Sequence, residues 1–190
     1  ISGMPMDISQ SNEPGNCSAE VFWTAPTAAD NCGVTTFTSS HNNGASFDVG
    51  STTVTYTATD AAGNSTSASF TVTVTDDEDP AIADPPRDIA VSNDAGECEA
   101  IVSWLAPTAS DNCSATLTST HSSGDAFPVG TTTVTYTATD AAGNSVQASC
   151  IVVVSDEEHP TISGLPMDIA QNTDAGVCEA VVSWTDPTAD

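Results

Sequence analysis

The sequence has no lysine and a single arginine, Arg87, against 26 aspartates and glutamates, a formal net charge of -25 over 190 residues. With no cations to release phosphate counterions, nucleic-acid binding is excluded as a function class. Attraction to anionic membrane surfaces is excluded on the same ground, and no apolar run is long enough to span a bilayer. Histidine is scarce too: only His41, His121 and His159 occur. The first two hold the same turn position in successive copies of a repeat, far in sequence from the acidic loops, and read as solvated turn residues. No serine sits in a nucleophile-elbow context, and no glycine-rich phosphate cradle is present. The chain is therefore expected not to be an enzyme.

What is present is repetition. The stretch Phe47 to Asn64 returns as Phe127 to Asn144 at an offset of 80, and Cys17, Trp23, Asp30 and Cys32 return as Cys98, Trp104, Asp111 and Cys113 at an offset of 81. A third copy opens at Ile162. Acidity with few aromatics is also a composition of disordered chains, but strict alternation argues for folded strands. Val54, Tyr56 and Ala58 alternate with threonines, and so do Phe70, Val72 and Val74. A first strand is expected to hold Met6 and Ile8, and a second Ala19, Val21 and Trp23, with Trp23 and Trp104 as core residues. Gly15, Gly44, Gly50 and Gly63 mark the turns. The pattern predicts an all-β protein: tandem immunoglobulin-like β-sandwiches in an extended end-to-end array. The expected organisation is a sandwich at 1–79, a second at 80–160, and the opening two strands of a third, incomplete repeat at 161–190, as a window on a longer array. Each unit is small enough to need staples or neighbours.

The run Asp30-Asn31-Cys32, then Phe47-x-Val49-Gly50-x-Thr52-x-Val54-x-Tyr56-x-Ala58-x-Asp60-x-Ala62-Gly63-Asn64, then Phe70-x-Val72-x-Val74, resembles the hyalin repeat, or HYR domain. The resemblance covers both complete copies and the start of the third. It implies an immunoglobulin-like sandwich in extracellular or cell-surface proteins linked with adhesion. One departure is that many hyalin repeats begin with Cys-Pro, where this chain has Met4-Pro5, Pro85-Pro86 and Leu165-Pro166.

The six cysteines point to an oxidising compartment. Cys17 and Cys32 share the separation of Cys98 and Cys113, so the expected disulfides are Cys17–Cys32 and Cys98–Cys113 within each repeat, with buried free thiols as the alternative. A bridged loop of that size is worth about 3 kcal/mol in the chain-entropy model. Too few ligands accompany each pair for zinc. Cys150 replaces Phe70 on an inward face and is expected to be a buried thiol acting as a small hydrophobe; a cross-link to another chain is the alternative.

The acidic residues cluster between the copies, at Asp76-Asp77-Glu78-Asp79 and Asp156-Glu157-Glu158. Following the strands of a sandwich, the Asp111-Asn112 loop and the Asp140 to Asn144 turn should both face the first linker. Their equivalents Asp30, Asn31, Asp60 and Asn64 lie at the entry of the first repeat. Carboxylates brought this close repel by several kcal/mol at an effective dielectric near 20, and a set of carboxylate, amide and carbonyl oxygens suits Ca²⁺. Ca²⁺ is thus the expected cofactor, held more tightly at the first linker because Asp79 is replaced by His159 in the second. Solvated linkers that merely keep the array soluble are the alternative. Asn16, Asn64 and Asn112 match the N-glycosylation pattern. Two functions remain. One is a structural segment of an extracellular stalk, adhesin or filament, partnered by neighbouring repeats and other copies in a filament. The other is an adhesive module that recognises glycan or a surface through its loops or Thr-rich faces.

Overall fold

The computed structural model describes residues 1–189 and is all-β. In the first repeat β1 (Ile8–Ser11), β2 (Ser18–Val21), β3 (Val34–Ser39), β4 (Ala45–Asp48), β5 (Gly50–Asp60) and β6 (Ser65–Thr75) form two sheets. One has the order β1-β6-β5-β3 and the other pairs β2 with β4. The long hairpin β5–β6 is antiparallel from Gly50↔Val74 to Thr59↔Ser65, and β1 joins β6 in parallel. The second repeat repeats this with β7 (Ala81–Ala83), β8 (Ile89–Ser92), β9 (Glu99–Ile101), β10 (Thr108–Ser110), β11 (Ala115–Ser119), β12 (Ala126–Pro128), β13 (Gly130–Asp140) and β14 (Ser145–Ser155). Its sheets are β11-β13-β14-β8, β9-β12 and β7-β10, and the isolated bridge Ser2↔Thr27 is the first repeat's counterpart of the last.

Alternation builds both cores. Val54, Tyr56, Phe70, Val72 and Val74 face Ala19, Val21 and Phe47 of the opposite sheet, while the intervening threonines point outward. Hydroxyl pairs such as Thr57–Ser67 (2.9 Å) and Ser51–Thr73 (3.1 Å) cover that outer face. The Trp23 indole N–H donates to Tyr56 Oη at 2.8 Å, and its ring meets Phe47 and Phe70 edge-on. In the second repeat Trp104 donates to Tyr136 Oη. With Cys150 in place of the Phe70 ring, Trp104 keeps Phe127 as its aromatic neighbour and is half-buried. Both cores are complete by Val154.

Two expectations are corrected. Met6 is 88% exposed and precedes β1, because the parallel pairing with β6 begins only at Ile8↔Val72. The third segment does not form the two opening strands; only β15 (Ile162–Ser163) and β16 (Thr188–Ala189) pair. Trp184 is 59% exposed. Asp84 takes a left-handed conformation (φ 52°) where the other copies have Gly3 and Gly164, a role aspartate tolerates better than most residues.

Candidate metal centre at the junction of the repeats

The alternation that builds the cores also buries two carboxylates. Asp76 follows Phe70, Val72 and Val74 at the next inward position beyond β6, and Asp140 follows Val134, Tyr136 and Ala138 at the end of β13; each is 8% exposed. Asp76 leads from one sandwich into the next, and two loops of the second repeat close on it. Asn112, from the loop between β10 and β11, donates from Nδ2 to Asp76 Oδ1 (3.3 Å) and to the Asn16 carbonyl (3.0 Å). Asn144, from the β13–β14 turn, donates to the Asp76 carbonyl at 3.1 Å. The Asn16 carbonyl also accepts from Asn12 Nδ2 at 2.9 Å, so the end of β1 belongs to the same cluster.

The cluster has too few donors. Asp76 Oδ2, Asn112 Oδ1 and Asn12 Oδ1 are all buried, and none has a hydrogen-bond partner. Buried oxygens without donors are costly, by about 1–3 kcal/mol each and more when charged. Ligand oxygens of Asp76 and Asp111 also lie within 4.8 Å of each other. At an effective dielectric near 20 that spacing alone repels by about 3–4 kcal/mol. Buried acceptor oxygens beside two close carboxylates are the kind of donor a hard cation takes, while the third group of that cluster, Cys113 Sγ, is held in a disulfide.

Covalent pairing departs from the sequence expectation. Cys17 is bonded to Cys113, with Cα atoms 4.7 Å apart at a sequence separation of 96. The disulfide joins one repeat to the next, replacing the expected Cys17–Cys32 and Cys98–Cys113 bridges. Strand direction gives the reason. Cys17 lies at the exit end of its sandwich, beside the Gly15–Glu78 contact. Cys32 lies at the entry end, where its neighbour Asp30 lines a cleft with Asp60 and Asn64. The 11 residues of β6 run between those ends, roughly 35 Å at about 3.3 Å per residue, against a Cα separation below about 7 Å for any disulfide. The strand direction that places Asn112 at the linker places Cys113 there too.

The remaining acidic residues take different stations. Glu78 accepts the Gly15 N–H with both oxygens (2.9 and 3.1 Å), and the left-handed Gly15 (φ 74°) turns that N–H toward it. Glu158 repeats this on the Gly96 N–H (3.0 and 3.0 Å). Asp77 accepts the Ser11 hydroxyl at 2.7 Å, and Asp79 is exposed on the cleft shared with Asp111 and Asn112. At the second linker Asp156, Glu157 and His159 are exposed, with the Glu157 N–H on Asn93 Oδ1. Asn31 is exposed beside Asp30, whose Oδ2 accepts the Cys32 N–H at 2.8 Å.

Asp60 and Asp140 also organise their own turns. The Asn64 side-chain amide, followed by its backbone N–H, holds Asp60 below the usual carboxylate range. Burial works against the same lowering at Asp140, but the Asn144 amide and the Gly143 and Asn144 N–H groups outweigh it. Two of the three glycosylation motifs have their amide nitrogen engaged: Asn64 Nδ2 binds Asp60, and Asn112 Nδ2 points into the junction. Asn16 is exposed. His41 and His121 are half-buried rather than solvated, each ring about 5.2 Å from Phe47 or Phe127. Cys150 is 2% exposed, and burial, then the charge of Asp88, pushes its thiol up.

The family follows from comparison. The chain is 38% identical to a hyalin of Strongylocentrotus purpuratus over 192 residues, which is 96% of this chain and 16% of that protein. A hyalin of Lytechinus variegatus is 39% identical over 93% of this chain and 34% of its own. The sushi, von Willebrand factor type A, EGF and pentraxin domain-containing protein 1 of Rattus norvegicus is 38% identical over 87% of this chain and 4% of its own. The chain thus spans about a third or less of each of these relatives. The HYR domain model matches residues 3–74 and again 75–155, and with two tandem matches covering most of its length the chain belongs to the HYR domain family.

Proposed function

We propose that this chain is a structural segment of an extracellular stalk, adhesin or filament, and that its repeats are held in fixed relation by Ca²⁺ at each linker. The observation that carries the reading is the set of donor-less buried oxygens on Asp76, Asn112 and Asn12, in a chain whose only strong base is Arg87. No lysine or further arginine is available to neutralise Asp76 and Asp111. A divalent cation offsets their repulsion and coordinates the orphaned oxygens together. Asp76, Asp111, Asn112 and Asn12 would hold it, with Asp140 behind them and Asp79 at the open side of the cleft. The second linker carries the same Asn93, Gly96, Asp156 and Glu158, so the reading extends to every junction that brings in a further Asp-Asn-Cys loop. The extracellular setting accords with the disulfide and with the family. Near-identity of the copies favours a scaffold over a binder that varies its loops.

The experiment is calorimetric titration of Ca²⁺ into metal-free residues 1–160, which keep both cores. Binding that is lost in Asp76→Ala and weakened in Asn112→Ala is the expected result. An Asp79→Ala variant, altered only on the exposed side, should lose less. Absence of binding, or binding indifferent to Asp76→Ala, would overturn the reading.

A further inference from the structure

The Cys17–Cys113 bond lies early in one repeat and midway through the next, at a sequence separation of 96. Everything between those two residues is a loop closed by one covalent bond. The loop holds β2 to β6 of the first repeat, the linker from Asp76 to Pro80, and β7 to β10 of the second. Outside it remain β1 on the N-terminal side, and β11 and all that follows on the C-terminal side. A chain pulled from its two ends carries tension along its shortest covalent path. That path runs to Cys17, crosses the Cα gap of 4.7 Å at the bond, and continues from Cys113. The two ends of the loop are fixed to each other, so no tension develops inside it.

The two cores are therefore loaded unequally. The first draws Val54, Tyr56, Phe70, Val72 and Val74 from the hairpin β5–β6, which lies wholly inside the loop. Its one strand on the path is β1, which can peel from the parallel register Ile8↔Val72 to Ser11↔Thr75 and leave that hairpin paired. The stretch through β1 gives the core only the partly buried Ile1, Met4 and Ile8. In the second core Phe127, Val134, Tyr136, Cys150, Val152 and Val154 all lie beyond Cys113, on the path.

We propose that the cross-repeat disulfide is a mechanical bypass: tension along the chain skips the linker and the core hairpin of the first repeat, and is borne by β11 to β14 of the second. The use of such a bypass rests on the stalk or filament reading above, whereas its geometry rests on the disulfide and asks nothing of the cation. The bond also stores length. A separation of 96 withholds roughly 310–340 Å of chain at about 3.3–3.6 Å per residue, and only cleavage of the bond releases it.

The test is single-molecule force spectroscopy on the full 190-residue chain, held by its two ends, in Ca²⁺ and in chelator, before and after a dithiol reductant. One thiolate of the reagent attacks a sulfur of the bond and expels the other cysteine as thiolate. The second thiolate of the reagent then displaces the remaining cysteine. Two electrons and two protons pass to Cys17 and Cys113, and the reagent ends as a cyclic disulfide. The oxidised chain should reach full extension roughly 310–340 Å short of the reduced chain, and should show one core unfolding where the reduced chain shows two. The double variant Cys17→Ser, Cys113→Ser should reach the longer extension without reductant. That length is read from the stretched chain, so it holds even where the variant folds poorly. Equal extensions before and after reduction, or two core unfoldings in the oxidised chain, would overturn the proposal. A shortfall of only roughly 100 Å would mark two bridged loops of about 15 residues, one within each repeat, and would overturn it as well. The same large shortfall in chelator as in Ca²⁺ upholds the bypass even if the calorimetric titration finds no cation.

Discussion

Replacing the junction cysteines one at a time distinguishes cross-repeat pairing from any pairing within a repeat. The bond between Cys17 and Cys113 closes a separation of 96 residues, and a loop of about 100 residues is worth up to about 4.7 kcal/mol in the chain-entropy model, against about 3 kcal/mol for a 15-residue loop. In residues 1–160, Cys17→Ser and Cys113→Ser should therefore destabilise by the same amount. The double variant should lose no more than either single one, since all three remove one bond. Cys32→Ser and Cys98→Ser touch exposed, unbonded positions and should stay within about 0.5 kcal/mol of the parent. Guanidinium unfolding followed by tryptophan fluorescence reports both repeats, because Trp23 and Trp104 each sit in one core. If Cys17→Ser and Cys32→Ser cost the same while Cys113→Ser pairs with Cys98→Ser, the bridges lie within the repeats and the strap across the junction is wrong.

Two further predictions rest on single side chains. Cys150, 2% exposed with its thiol pushed up by burial, should resist alkylation in folded protein and react once denaturant is added; modification at the rate of Cys98 would contradict its placement in the core. Asp60 has its pKa lowered chiefly by the Asn64 amide, so its contribution to stability is present above the ordinary aspartate pKa and is lost as pH falls through the lower folded value. Asn64→Ala should therefore move the acid unfolding limb of the first repeat to higher pH, and an unchanged acid limb would show that the turn does not carry this linkage.

Alternation made most of the fold legible. Val54, Tyr56, Ala58, Phe70, Val72 and Val74 are apolar at a period of two, and a half-buried strand is the physical consequence. The same period continues to Asp76 and Asp140, so the burial of those carboxylates could be read from the pattern, as could their meeting with the Asn112 and Asn144 loops. Disulfide partners were not legible from spacing. A repeated separation shows that Cys17 and Cys32 are equivalent to Cys98 and Cys113, but not which equivalent bonds to which. That is decided by the length of β6, which keeps Cys17 and Cys32 at opposite ends of one sandwich. Asn12 was missed altogether, because an asparagine just after a strand reads as a turn former until the Asn16 carbonyl ties it to Asn112.

In the proposed reading the junction is clamped twice, once by the disulfide and once by a cation. With the strap intact, removing Ca²⁺ would free only a hinge already tethered at Cys17 and Cys113, so the cation must be tested without it. The direct measurement is small-angle scattering of residues 1–160 carrying Cys17→Ser and Cys113→Ser, in Ca²⁺ and in chelator. The expected result is a narrow distance distribution in Ca²⁺, a broadened one in chelator as Asp76 and Asp111 repel, and recovery when Ca²⁺ is restored. Identical scattering curves in the two buffers, from protein shown to be metal-free at the outset, would contradict it.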